Sequence, residues 1–265
     1  MSKKYFLLLF IFWSLFSCTN TNKVEINSEN ISIDPEILYI EAMNNFDAKE
    51  YDLALDKFEK LEKLFPLSNE AVQSQIMSAF VDYIRLNYDD AIYKFNRILT
   101  KYPSHKNLDY VYYMKAICYY EKISHEELDG SSNINALENF EQVLNRFPDS
   151  KYAKDSHQKI ILVKSNIAAK HMSIGRFYHE NDKYIAALNR FKIVVDDFSV
   201  TKFTPEALHR MVEIYYKLGM KEEAINTAAV IGYNYPESEW YEHSYNLLRE
   251  KEENLKLLDK IKNLF

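Results

Sequence analysis

Apolar residues recur along this chain with a helical period, and one short pattern returns five times. Ala54 is followed by Phe58, Leu61, Phe65 and Pro66. Ala91 repeats it with Phe95, Ile98, Tyr102 and Pro103, and Ala136 with Phe140, Val143, Phe147 and Pro148. The fourth copy runs Ala187, Phe191, Val194, Phe198, with Ser199 where proline is expected. The fifth runs Ala224, Ala228, Ile231, Tyr235, Pro236. Residues at these offsets share one face of an α-helix. The closing proline cannot continue the helix, and it drives the preceding residue out of the α region. Each copy therefore predicts an amphipathic helix with a defined stop.

A second small residue precedes each key alanine. Ala42, Ala79 and Gly175 stand twelve positions upstream in copies one, two and four. In copy three Ala116 matches if eight extra residues are allowed, and in copy five Val212 breaks the rule. Between the small residues lie turns: Ala48-Lys49-Glu50, Leu86-Asn87-Tyr88 and Leu218-Gly219-Met220. The pattern predicts paired antiparallel helices that approach closely at the small residues. Asp34-Pro35-Glu36 and Thr204-Pro205-Glu206 read as helix starts, each with a capping side chain before a first-turn proline. The predicted fold class is all-α: a superhelical array of five tetratricopeptide-like (TPR-like) helix pairs.

Spacing between key alanines is 37, 45, 51 and 37 residues. The eight-residue gain in the third unit matches a polar loop from Ile123 to Asn133. The fourteen-residue gain in the fourth predicts one long helix across Ser150–Glu180, where no proline occurs. The chain thus divides into 1–17 as a signal peptide, 18–33 as lipidated N-terminus and flexible tether, and 34–149 as repeats one to three. Residues 150–246 follow as the long helix with repeats four and five. Residues 247–265 carry Leu248, Leu255, Leu258, Ile261 and Phe265 on one face and read as a capping helix, with a partner-binding helix as the alternative.

The N-terminus changes the picture most. Lys3 and Lys4 precede an apolar run, Tyr5–Phe16, that is too short to span a bilayer and suits a signal-peptide core. Leu15-Phe16-Ser17-Cys18 then looks like a lipobox, in which Cys18 becomes the lipidated N-terminus. An ordinary secretory leader with an incidental cysteine is the alternative. Cleavage there shifts the formal charge from −6 to −8, because Lys3 and Lys4 leave. Stable anchoring takes two or more acyl chains. Thr19 follows the cysteine, and the absence of Asp there favours the outer membrane by analogy with bacterial lipoproteins. With Cys18 acylated, Cys118 has no partner and reads as a small buried hydrophobe.

Composition and motifs exclude more than they add. Four glycines and 6 prolines leave little material for β-hairpins or phosphate-cradling loops. The acidic balance is not that of a nucleic-acid binder. No HExxH, GxSxG or P-loop pattern occurs. His171 and His179 can share a helix face, but nothing completes a metal site. No cofactor is expected, and the chain does not read as an enzyme. Tyr39 and Tyr83, on predicted first helices, fit either packing or the lining of a substrate groove. The concave surface of such an array binds segments of other proteins.

Several strings together resemble a known family. They are Tyr102-Pro103-Ser104-His105, Asp109-Tyr110-Val111 with Tyr113-Met114, Arg146-Phe147-Pro148-Asp149-Ser150 with Tyr152-Ala153 and Asp155, Ala187-Leu188-Asn189-Arg190, and Asn234-Tyr235-Pro236-Glu237-Ser238. In this order, behind a lipobox, they resemble the BamD family of tetratricopeptide lipoproteins in the β-barrel assembly machinery. The resemblance implies a lipid-anchored protein on the periplasmic face of the outer membrane. It implies that the C-terminal repeats dock a POTRA domain of the barrel protein BamA, alongside other assembly-machinery lipoproteins. The N-terminal repeats would receive unfolded outer-membrane β-barrel proteins. Arg190 falls where the family presents an arginine to BamA; its other reading is an ordinary surface arginine. Two different lipoprotein roles share the repeats and the lipid: a pilotin that escorts a secretin, and an accessory activator of a cell-wall enzyme. The long fourth unit favours the assembly role.

Overall fold

The computed structural model describes residues 34–123 and 130–249. The expected signal peptide, Cys18, the tether, residues 124–129 and everything after Arg249 lie outside these residues. Ten helices alternate as antiparallel neighbours: α1 (Pro35–Asp47), α2 (Tyr51–Leu64), α3 (Asn69–Ile84), α4 (Tyr88–Lys101), α5 (Leu108–Ile123), α6 (Ser131–Arg146), α7 (Ala153–Glu180), α8 (Tyr184–Asp197), α9 (Thr204–Lys217) and α10 (Lys221–Asn234). Residues 239–249 are helical as well. No strand occurs among the described residues, and none of their helices is long and apolar enough to cross a membrane.

The repeat pattern is the core. Ala42, Ala54, Ala79, Ala91, Ala116, Ala136 and Ala187 are fully buried, with Phe95, Phe140 and Phe191 beside them. The fifth pair exchanges sizes. Val212 replaces the small residue of the first helix, and Ala228 replaces the phenylalanine of the second; both are buried. Volume moves from one partner to the other, which a close-packed interior tolerates better than a net change.

Turns inside four pairs share one construction. Glu50 N–H donates to Asn45 C=O and Lys49 N–H to Phe46 C=O, both at 2.9 Å. The equivalent double bonds recur at Leu86–Asn87, Asp182–Lys183 and Gly219–Met220. This closure needs a left-handed residue past the helix end. Only Gly219 supplies it cheaply; Lys49 (φ 62°), Leu86 (φ 62°) and Asp182 (φ 56°) adopt it with a side chain. At the far ends, the residues before proline (Phe65, Tyr102, Phe147, Tyr235) hold ψ at 55°, 60°, 56° and 52°. Phe198, before Ser199, relaxes to 29°. The helix still stops there, so proline sharpens the exit without being required for it.

Three predicted boundaries need correction. Asp34 caps α1 by accepting from Glu36 N–H at 2.9 Å, but Thr204 does not cap α9. It is buried inside the first turn and its hydroxyl donates to Phe198 C=O at 3.2 Å. α6 begins at Ser131, inside the segment predicted as loop, with Gly130 at its N-cap. Helix also starts at 239, eight residues before the cap predicted at 247–265. It packs early because Gly232 leaves room: a Cβ built there would lie 2.7 Å from the Tyr241 ring.

First helices pack along the array, α1 on α3 and α3 on α5, so they line its inner side. The second helices stand outside. α7 serves two cores. Its Ile160 and Val163 belong to the cluster of α3–α6, and its Ala168 and Met172 to the cluster of α8 and α9.

Candidate protein-binding surfaces

Tyr39 and Tyr83 lie on the first helices α1 and α3, and both are half-buried. Tyr39 packs its ring 6.2 Å from Phe58. Tyr83 belongs to a run of rings, Tyr51–Phe46–Phe80–Tyr83–Tyr88, with centroids 5.8–6.0 Å apart. Burial pushes both phenols above the ordinary tyrosine value; Glu121 adds to this at Tyr83. The two are not brought together into one patch, and each gives part of its ring to packing.

The family-like strings converge in space. Ser150 Oγ donates to Asp109 Oδ2 at 2.7 Å, and Tyr113 OH donates to Asp155 at 2.8 Å. Tyr113 stacks on Tyr152 at 4.8 Å, and Arg146 lies 5.0 Å over the Tyr112 ring. Ser150, Tyr152 and Asp155 tie the start of α7 to α5, and Arg146 ties the exposed end of α6 to α5. Their spacing in sequence serves a brace. Cys118, close by on α5, is fully buried, and burial pushes its thiol up to about 12, so it is inert.

Arg190 lies half-exposed on α8 and makes no ion pair among the described residues. Its charge reaches His171, on α7, whose ring stacks on Phe198 at 6.0 Å. Burial and then the Arg190 charge disfavour the imidazolium there. His179 lies apart, edge-on to Tyr184 at 6.0 Å. No cluster of three or more potential metal ligands occurs among the described residues.

Sequence reasoning missed a charged braid in the C-terminal half. Glu206 on α9 meets Arg176 of α7 at 3.5 Å and Arg210 at 3.6 Å. Arg210 also meets Glu213 at 2.9 Å and lies 5.3 Å over the Trp240 ring. His209 places Nε2 3.6 Å from Glu213 and Nδ1 2.8 Å from Ser244 Oγ. Ser244 Oγ donates to Trp240 C=O at 2.8 Å, so it accepts from His209. Ser244 is fully buried with its proton committed to backbone, which fixes the 239–249 helix and offers no nucleophile. Burial opposes ionisation of Glu213, but the His209 ring and the Arg210 guanidinium overcome it and hold the carboxyl at about 2. Partners 35 residues apart left no local signal beyond the i,i+3 and i,i+4 charges on α9.

Paired helices with small residues at the first four crossings, and two partly independent cores, define a TPR-type scaffold. The family described as YfiO, outer membrane lipoprotein, matches residues 32–231. The chain belongs to this BamD (YfiO) family of outer-membrane lipoproteins. It is 37% identical over 215 residues to outer membrane protein assembly factor BamD of Caulobacter vibrioides, covering 81% of this chain and 70% of that one. To the BamD of Rickettsia prowazekii it is 37% identical over 227 residues, covering 86% and 90%. Among solved structures, the TPR2AB domain of yeast Sti1 aligns with TM-score 0.46 at 13% identity, covering 85% of this chain and 88% of that one.

Proposed function

We propose that this chain works as a lipid-anchored scaffold of the β-barrel assembly machinery, held by Cys18 and facing the periplasm. Membership of an outer membrane protein assembly factor family carries the reading. The two cores that meet on α7 support a division of labour. Repeats one to three offer the inner face, with Tyr39 and Tyr83 at its edge, to unfolded outer-membrane proteins. The C-terminal repeats, with Arg190, dock a BamA POTRA domain. Arg190 suits this role because it has no ionic partner of its own to give up. A charge removed from such an interface costs most when its partner carboxylate is left buried.

Copurification from detergent-solubilised membranes tests the proposal. A BamA-type barrel protein is expected in the eluate of the wild-type chain. Arg190→Glu should lower its yield by about tenfold or more, with helical content unchanged by circular dichroism. Cys18→Ala should release the chain into the soluble periplasmic fraction. Absence of any BamA-type protein from the wild-type eluate would sink the reading.

A further inference from the structure

A second surface lies on the outer side of the array, away from the face assigned above. α2 and α4 stand apart as second helices, and α3 forms the floor between them. The groove they leave has a cavity of about 550 Å³, within the range of ligand sites. Its walls carry Lys63, Lys94, Arg97 and Lys101 against Glu59 and Glu62. Most of this charge is internally paired. Lys63 meets Glu59 at 2.5 Å, and Lys94 meets the buried Asp82 at 2.6 Å. Arg97 and Lys101 share the single carboxylate of Glu62, at 2.8 and 3.4 Å. Four cations thus face three anions, and one positive charge is left over at Lys101 and Arg97.

The floor is unsatisfied as well. Ser74 is fully buried, lines the cavity, and its Oγ has no hydrogen-bond partner among the described residues. A hydroxyl in the middle of a helix ordinarily bonds a carbonyl one turn back, and an unmade bond costs free energy. Beside it, Gln75 holds Tyr102 OH through its amide nitrogen at 2.9 Å. Leu55 and Phe58 supply apolar wall.

We propose that this groove binds a peptide segment through one carboxylate. Lys101 and Arg97 hold the carboxylate above Glu62. The Ser74 hydroxyl bonds a neighbouring main-chain group, and the apolar side chain next to the acid rests on Leu55. One surplus charge matches one carboxylate; a dianionic phosphate would press a second negative charge against Glu59 and Glu62. The carboxylate can come from an acidic side chain or from a chain end, and the two are separated by the test.

Ligand-observed NMR titration of the full chain in detergent micelles uses three probes. These are acetyl-Leu-Glu-Leu-amide, its Gln counterpart, and the Gln tripeptide with a free C-terminus. Saturable binding of the Glu peptide, at least about tenfold tighter than the neutral one, assigns the site to acidic side chains. The same preference for the free C-terminus assigns it to chain ends. Lys101→Gln and Ser74→Ala should each weaken whichever carboxylate probe binds. Lys57→Gln, on α2 but paired with Glu41 outside the groove, should leave it unchanged. Equal binding of the neutral peptide, no saturable binding, or indifference to both Lys101→Gln and Ser74→Ala overturns the proposal.

Discussion

Gly175 sits where α7 crosses α8, and a Cβ built there would lie 2.5 Å from Cε1 of Phe191. That ring is fully buried and cannot swing away. Alanine would gain about 1 kcal/mol of helix propensity but force an overlap whose relief costs roughly 1–3 kcal/mol. Gly175→Ala is therefore expected to lower stability by about 1 kcal/mol, read as a lower denaturant midpoint. A higher midpoint would mean that the crossing has slack. The opposite sign is expected at Leu86, left-handed at φ 62° and 70% exposed. Leu86→Gly removes a backbone cost of about 1–2 kcal/mol and returns part of it as chain entropy. A net gain of about 0.5 kcal/mol should appear in thermal melts. Gly175 was legible from sequence because it recurs in register with Ala42 and Ala79. The strain at Leu86 was not, because leucine carries no turn signal of its own.

At the scale of elements, helices and their stops were readable because each is a local pattern: small residue, aromatic, proline. What escaped depends on distant partners. Thr204 looks like a cap in sequence, yet burial against the end of α8 turns its hydroxyl toward Phe198. Ser74 and Gln75 face the groove between α2 and α4, yet they read as ordinary helix, with nothing local to mark that groove. The braid through Arg176, Glu206, Arg210, Glu213 and His209 joins α7, α9 and the 239–249 helix, and only the fold assembles it. Its pH dependence follows from Glu213. The folded carboxyl titrates at about 2, below its ordinary 4.5, so the unfolded chain takes up the proton first as pH falls. The contribution is fully present above about pH 4.5 and is lost as pH drops toward 2, worth up to about 3 kcal/mol. Thermal melts of the full chain between pH 6 and 3 should show that decline, and Glu213→Gln should flatten it. An unchanged slope in the variant would place the acid sensitivity elsewhere.

Across the whole molecule, the question is whether the array behaves as one body or as two. α7 is one continuous helix, which argues for rigidity. Its contacts argue otherwise: Ile160 and Val163 complete the core of α3–α6, while Ala168 and Met172 complete that of α8 and α9. In a repeat array each unit is stabilised mainly by its neighbours, so damage spreads only as far as the contacts carry it. Phe140 is fully buried on α6 and belongs to the first of these cores. Phe140→Ala should cost about 3–5 kcal/mol there. Hydrogen exchange should then quicken in α5, α6 and the first three turns of α7, while α8 and α9 keep their wild-type protection. Equal loss in both halves would show a single cooperative unit, and the two proposed binding surfaces would have to share one conformational state. Retained protection in α8 and α9 would mean that the first three repeats can loosen without loosening the C-terminal repeats. The proposed scaffold, receiving one partner while holding another, would need that separation, and the packing of α7 supplies a physical route to it.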